Sequence, residues 1–259
     1  MFYKYYPPKD YVIDSLEKAF LYFSFSDKLN DPFDTYLSFE LFGNKNEWIN
    51  FLKTELHYSH NDAEEYFVNN NIIENEPYSI PLFEDNYRMA YVISSFTTKP
   101  DNSLMWSHYS NSHKGICIGY KTVKPSNFNL IQIDDKREIN SVDYNGIKYL
   151  PLRKVDYLHE KPKPFNPLQD DQEQMINNVI QKSDIWKYED EYRLAMKSYD
   201  PRKNIVYYNK LILSDIYIGI NTDLTLIKEI IKIAKFVYNS DIKIHYPLVN
   251  YKDYRVKFD

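Results

Sequence analysis

Short strand-like and helix-like runs follow one another along this chain without the regular alternation that a parallel βαβ sheet imposes. That irregular order is the strongest constraint on its fold. "FYKYYPP" sets aromatics around Lys4 and stops at Pro7-Pro8, as a short first strand does. "KDYVIDSLEKAF" has the periodicity of a helix with Val12, Ile13, Leu16 and Phe20 on one face and Asp10 as N-cap. "LYFSFS" reads as a second strand. Residues 45–70 carry helical spacing through Trp48, Phe51, Leu52, Leu56, Tyr66 and Phe67. "MAYVISSFT", "GICIGYK", "EYRLAM", "NIVYY", "DIYIGI", "IKIHYPL" and "YKDYRVKF" add strands, with a short helix near "NSLMWSHYS" and another at "DQEQMINNVIQKSD". In "LTLIKEIIKIAKFVYN" the predicted buried stripe is Ile227, Ile230, Ile231, Ala234 and Val237. No repeat or Gly/Ser linker divides the chain, so the expectation is one α+β domain over residues 1–259.

The bulk numbers limit function. A chain of 259 residues buries a substantial core. Its formal net charge of −5 argues against tight, sequence-independent binding of duplex DNA, which depends on neutralising phosphates. A local basic groove for nucleic acid stays compatible with that charge. The 26 Tyr and 15 Phe accompany frequent Asn, Ile and Lys, the bias of an AT-rich genome, so tyrosine richness alone marks no binding surface. The single Cys117 closes no internal disulfide and sits in an apolar run, where cysteine acts as a small hydrophobe. Absence of GxGxxG and GxxxxGK[ST] removes the usual Rossmann and P-loop readings. Neither a secretory leader nor a membrane-length apolar run is visible, so the expectation is a cytoplasmic protein with no membrane contact.

Candidate chemistry centres on "WKYEDEYRLAM". Read with period 2, Glu189, Glu191 and Arg193 share one side of a strand, opposite Tyr188, Tyr192 and Leu194. This is either a solvated strand edge or a catalytic acid beside a positioning cation. In "NDPFD", Asn30 and Asp31 suit a turn, Pro32 fixes a dihedral and Phe33 is expected to plug the core, with Asn30 or Asp34 as possible substrate contacts. In "LMWSHYSNSHKGICIGY", Trp106 and Tyr109 read as core or pocket wall, and His108 as a hydrogen-bonding group near physiological pH. Zinc spacing is absent here, and no metal is expected. Lys148, Arg153, Lys154, Lys161 and Lys163, with Tyr149 and Tyr157 between them, form the densest basic region. It fits either a nucleic-acid backbone or a solvated loop.

Taken in order, "FSFSDKLNDPFD", "LMWSHYSNSHKGICIGY" and "WKYEDEYRL", with "YKYY" and "LILSDIYIGI", resemble a family of bacterial and phage proteins, domain of unknown function family 2971. A more distant resemblance is to the ADP-ribosyltransferase fold. Members of its Arg-Ser-Glu type carry a basic residue on the first strand, a Ser-x-Ser segment on the next and a late Glu-x-Glu. Lys4 matches the first of these, Ser24 and Ser26 the second, and Glu189 and Glu191 the third. Lys replaces Arg, which forfeits a planar bidentate clamp on phosphate, and Phe25 stands where Thr is usual.

That resemblance implies a split, mixed or antiparallel sheet with flanking helices, NAD as the donor and a protein or nucleic-acid acceptor. It also implies roles. Breaking the nicotinamide–ribose bond develops positive charge on the ribose, which a carboxylate stabilises. Glu191 is then the residue at the ribose and Glu189 the one that orients or deprotonates the acceptor. Lys4 meets the phosphates, Ser24 braces the glutamate or ribose with Ser26 beside it on the cofactor, and Tyr3, Tyr5 or Tyr22 stacks on nicotinamide. Bacterial relatives of that fold include toxins and antiviral defence effectors, some held by a neutralising partner. Two rival readings stand beside it: a metal-dependent nuclease using Asp31, Asp34, Glu189 and Glu191, and a non-catalytic binding domain.

Overall fold

A computed structural model describes all residues except 36–38, 81–90, 126, 138, 140, 162–163, 170–171, 198–203, 239–241 and 251–254, and omits the side chains of 172–173, 249–250 and 255. The first half of the chain forms β1 (Phe2–Tyr6), α1 (Asp10–Lys18), β2 (Phe20–Tyr22), β3 (Ser24–Phe25), α2 (Lys45–Glu55), α3 (His60–Asn69), β4 (Tyr91–Thr97), α4 (Ser103–Tyr109) and β5 (Ile116–Tyr120). β6 (Asn129–Gln132), β7 (Val142–Tyr144), β8 (Ile147–Lys154), β9 (Asp156–Leu158), α5 (Gln172–Val179) and β10 (Gln181–Ser183) follow. The rest is β11 (Glu191–Lys197), β12 (Ile205–Tyr207), β13 (Leu213–Ile218), α6 (Leu224–Val237), β14 (Lys243–His245), β15 (Pro247–Asn250) and β16 (Arg255–Phe258). The fold is α+β. Two compact units result: Met1–Ser24, Val92–Val155 and Ile185–Asp259 in one, Phe25–Tyr91 and Asp156–Asp184 in the other.

The first unit is built on a mixed sheet with strand order β14-β13-β5-β1-β4-β11-β8-β6. Neighbours with a described register are antiparallel, apart from the parallel β13–β14 pair. β1 is central, and its register sets Tyr3 against Gly119, Lys4 against Ile118 and Tyr5 against Cys117. The glycine before β5 permits this close approach, because a Cβ on Gly115 would stand 1.9 Å from the Tyr6 carbonyl oxygen. A main-chain clash has no rotamer to relieve it. Gly115→Ala is expected to lower stability by at least the ~1–3 kcal/mol typical of overpacking. Gly119→Ala meets only side-chain atoms of Asp215 and Tyr3, at 3.1 and 3.2 Å, and should cost less. Urea midpoints of the two variants measure the difference.

Many tyrosines have structural work here. Tyr6 and Tyr120 share a hydroxyl hydrogen bond of 3.0 Å, and Tyr208 and Tyr238 one of 2.8 Å. The Tyr238 hydroxyl also donates to the Leu16 carbonyl at 2.7 Å. Burial of these rings raises their phenol pKa values, so they remain neutral donors.

Several expectations are corrected in this unit. Lys9, not Asp10, occupies the N-cap of α1, and Asp10 is the first helical residue. Tyr22 and Ser24 fall in separate strands, because the stretch read as one strand is broken at Phe23. On α6 the buried side chains are Ile230, Ile233 and Ala234, while Ile231 is 41% exposed. The helix is apolar on more than one face, and the packed stripe rotates toward Ile233. Met89 and Ala90 of the predicted fourth strand lie outside the described residues.

The second unit packs α2 and α3 around Leu41, Trp48, Phe51, Leu52, Ala63 and Phe67. Each such large apolar side chain contributes about 1.5–3 kcal/mol on burial. Asn44 starts α2 through a reciprocal capping box with Glu47. Asp31 accepts from the Phe33 backbone N–H at 2.9 Å, which makes the "NDPFD" turn. The expected plug is corrected: Phe33 is 69% exposed at the turn, whereas Asp34 is buried and lies 3.4 Å from Lys182 Nζ. Ser26 opens a short 3-10 turn rather than extending a strand, and Asn30 is exposed.

Candidate active site

The site in the first unit grows from three local devices. The first is β1, which projects Lys4 into an aromatic setting. Its ammonium lies 5.4 Å from the Phe96 ring centroid and 5.8 Å from that of Tyr6, and donates to the Ser95 carbonyl at 3.1 Å. Burial lowers its pKa to about 8, against the opposing pull of the Glu191 carboxylate. Lys4 therefore carries its charge at neutral pH and loses it in mildly alkaline solution.

The second device is α4. Asn102 caps it by accepting from the Leu104 and Met105 N–H groups. The helix closes into Asn111, Ser112 and His113, three successive non-glycine residues in the left-handed region, with φ of 52°, 58° and 65°. Each such residue costs energy, and the run directs the chain into Gly115 and β5. Trp106 is fully buried, its indole N–H donating to the Pro100 carbonyl at 2.8 Å, so it belongs to the core. His108 and Tyr109 at the end of α4 face a cleft instead.

The third device is the turn before β11. Glu189 ends a 3-10 helix spanning Asp184–Glu189, and Asp190 takes a left-handed φ of 45° before Glu191 opens the strand. This corrects the period-2 reading: Glu189 is not on the strand, so it does not alternate with Glu191 and Arg193. The solvated-edge reading falls too, since Glu189, Glu191 and Arg193 are 2%, 3% and 0% exposed. Arg193 donates from Nε and Nη2 to the two oxygens of Glu191 at 2.8 and 3.0 Å, a bidentate buried pair.

Glu189 is held from several directions. The Thr97 hydroxyl donates to its carbonyl oxygen at 2.6 Å, and Asn102 Nδ2 donates to the preceding Tyr188 carbonyl at 2.9 Å. Thr98 bonds the Asp190 carboxylate. The Tyr109 hydroxyl then donates to Glu189 Oε1 at 2.5 Å. Asn102 thus caps the helix that carries Tyr109 and steadies the turn that carries Glu189.

These devices border a cleft of about 510 Å³ lined by Lys4, Tyr5, Tyr6, Pro7, Pro8, Lys9, Tyr11, Tyr22, Ser24, His108, Tyr109 and Asn111. Lys4, Tyr5, Tyr22, Ser24, His108 and Tyr109 were expected at a site from the sequence, and one cleft brings them together. Tyr5 is tied down, its hydroxyl donating to the Lys99 carbonyl at 2.8 Å and its ring meeting Trp106 edge-on. Tyr22 is 44% exposed and is the more accessible aromatic face. Glu189 stands behind Tyr109, and Glu191 acts on Lys4 electrostatically while bonded to Arg193. Ser26 and Asn30 belong to the second unit.

Sequence reasoning missed Thr97, Asn102 and Asn111. Asn102 had a legible signal, an Asn immediately before a helical run, which is a favoured N-cap. The basic region resolves into ordinary strand positions: Lys148, Arg153 and Lys154 lie on β8, with Arg153 over the Phe128 ring and Lys154 3.9 Å from Asp190. Lys161 lies over Phe33 in the second unit, and Lys163 is outside the described residues. Cys117 is fully buried, which pushes its thiol pKa up and leaves it inert. Among the described residues no three His, Cys, Asp or Glu side chains are grouped to hold a metal ion, and no helix is long and apolar enough to cross a membrane.

Fold and site together define an α+β protein with a basic, tyrosine-lined cleft backed by buried carboxylates. Residues 105–194 match the family model described as protein of unknown function (DUF2971), the family that the ordered motifs resemble. The matched stretch contains Tyr109, Glu189, Glu191 and Arg193. No curated protein and no solved structure gives a significant match.

Proposed function

We propose that the protein is an ADP-ribosyltransferase-like enzyme that takes NAD as donor and modifies a protein or nucleic-acid acceptor. The observation that carries this reading is the single cleft that joins Lys4, Tyr5, Tyr22 and Ser24 to Tyr109, whose hydroxyl is bonded to Glu189. A dinucleotide needs a cation for its phosphates and an aromatic face for its rings, and Lys4 and Tyr22 supply these. Ser24 offers a hydroxyl for ribose. Glu191, fixed by Arg193, acts from behind as the counter-charge to Lys4. Among the described residues no grouping of three His, Cys, Asp or Glu side chains supports the nuclease reading. The resemblance, and not the residues, adds the proposal of a toxin or defence effector with a neutralising partner.

The test is incubation of the purified protein with labelled NAD and cell lysate, without added metal. Nicotinamide release and label transfer are expected, and both should fall at least tenfold in Lys4→Met, the loss of one charge-assisted phosphate contact. Metal-dependent loss of nucleic acid with NAD untouched would overturn the reading.

A further inference from the structure

We infer that Tyr109 is the group that takes the acceptor's proton, and that Glu189 receives the Tyr109 proton in the same step. This rests on the transferase reading and assigns the acceptor side of that site. Tyr109 lines the cleft, whereas Glu189 is 2% exposed, so an acceptor in the cleft meets the phenol and not the carboxylate. The 2.5 Å bond between them already points the phenol proton at Glu189 Oε1. A hydrogen bond from a phenol to a carboxylate is charge-assisted and gives the proton a direct path to the base.

The pair is also held in register. Asn102 fixes both the start of α4 and the Tyr188 carbonyl, and Thr97 fixes the Glu189 carbonyl. These bonds hold the backbone on both sides of the pair.

The step balances. The ribose–nicotinamide bond breaks with its electron pair leaving on nicotinamide, and the anomeric carbon bonds the acceptor atom. The acceptor's proton passes to the Tyr109 oxygen, the Tyr109 proton passes to Glu189, and Glu189 later returns it to water. Tyr109 ends as it began.

The experiment compares wild type, Tyr109→Phe and Glu189→Gln with labelled NAD and cell lysate, reading label transfer, KM for NAD, the pH profile and the melting temperature. For both variants kcat for label transfer should fall about 100-fold or more, the usual range for a lost acid–base group, with KM for NAD within about twofold. The acidic limb of the wild-type pH profile should vanish in Glu189→Gln. A purely structural pair would lower the melting temperature and shift KM while leaving that limb in place, which overturns the relay. If Tyr109→Phe does not fold, Glu189→Gln, which keeps an acceptor for the phenol, decides alone. Transfer by wild type that persists in the variants sinks the relay but leaves the transferase reading standing. A wild type that releases no nicotinamide sinks both.

Discussion

Arg193→Met should destabilise the protein by about 3–5 kcal/mol, the range for removing one member of a buried ion pair. The reason lies in what is left behind. Glu191 is 3% exposed and both its oxygens accept from the Arg193 guanidinium, so the variant buries a carboxylate without its planar partner. Arg193→Lys should recover only part of the loss, because a single ammonium cannot reproduce two parallel N–H donors. Glu191→Leu combined with Arg193→Met should be less harmful than Arg193→Met alone, since the uncompensated charge is gone. Urea unfolding of the four proteins measures this. A cost below about 1 kcal/mol for Arg193→Met, the range of exposed pairs, would show that water reaches the pair.

The same pair shows which features the sequence makes legible. Element types follow from local periodicity, so β1, α4, β5, β11 and α6 fall where alternation or helical spacing places them. The motifs around Lys4, Ser24 and Tyr109 were visible as residue types, and the cleft joins them because β1 pairs with β5. What stayed hidden depends on single dihedrals and distant partners. One left-handed residue, Asp190, removes Glu189 from the strand face, and Asp is not a residue that announces such a turn as glycine would. The Tyr109–Glu189 bond links positions 80 residues apart, and no local pattern encodes it. Burial of Arg193 was equally unreadable: a charged residue in a strand is exposed unless a partner elsewhere in the fold closes over it. Phe33 illustrates the converse, an aromatic kept outside by the turn that Asp31 imposes.

Lys4 gives the second large effect, and it is read through pH. Burial lowers its pKa from an ordinary 10.5 to about 8, so the folded protein releases this proton before the unfolded chain does. Between pH 8 and 10.5 the unfolded state binds more protons, and stability rises with pH across that window. This contribution is fully present above pH 10.5 and is lost as pH falls through 8. Lys4→Met removes the titrating group, so its stability should lack this slope, which urea unfolding at pH 7, 8.5 and 10 would reveal. Ligand binding should run the other way. In the proposed NAD complex the phosphates need the ammonium, so affinity should fall about 10- to 100-fold from pH 7 to pH 10, the worth of one charge-assisted contact. Lys4→Arg keeps its charge throughout and should bind with little dependence on pH. Calorimetric titration of NAD into both proteins at the two pH values separates the cases. Equal loss of affinity in wild type and Lys4→Arg would place the titrating group elsewhere.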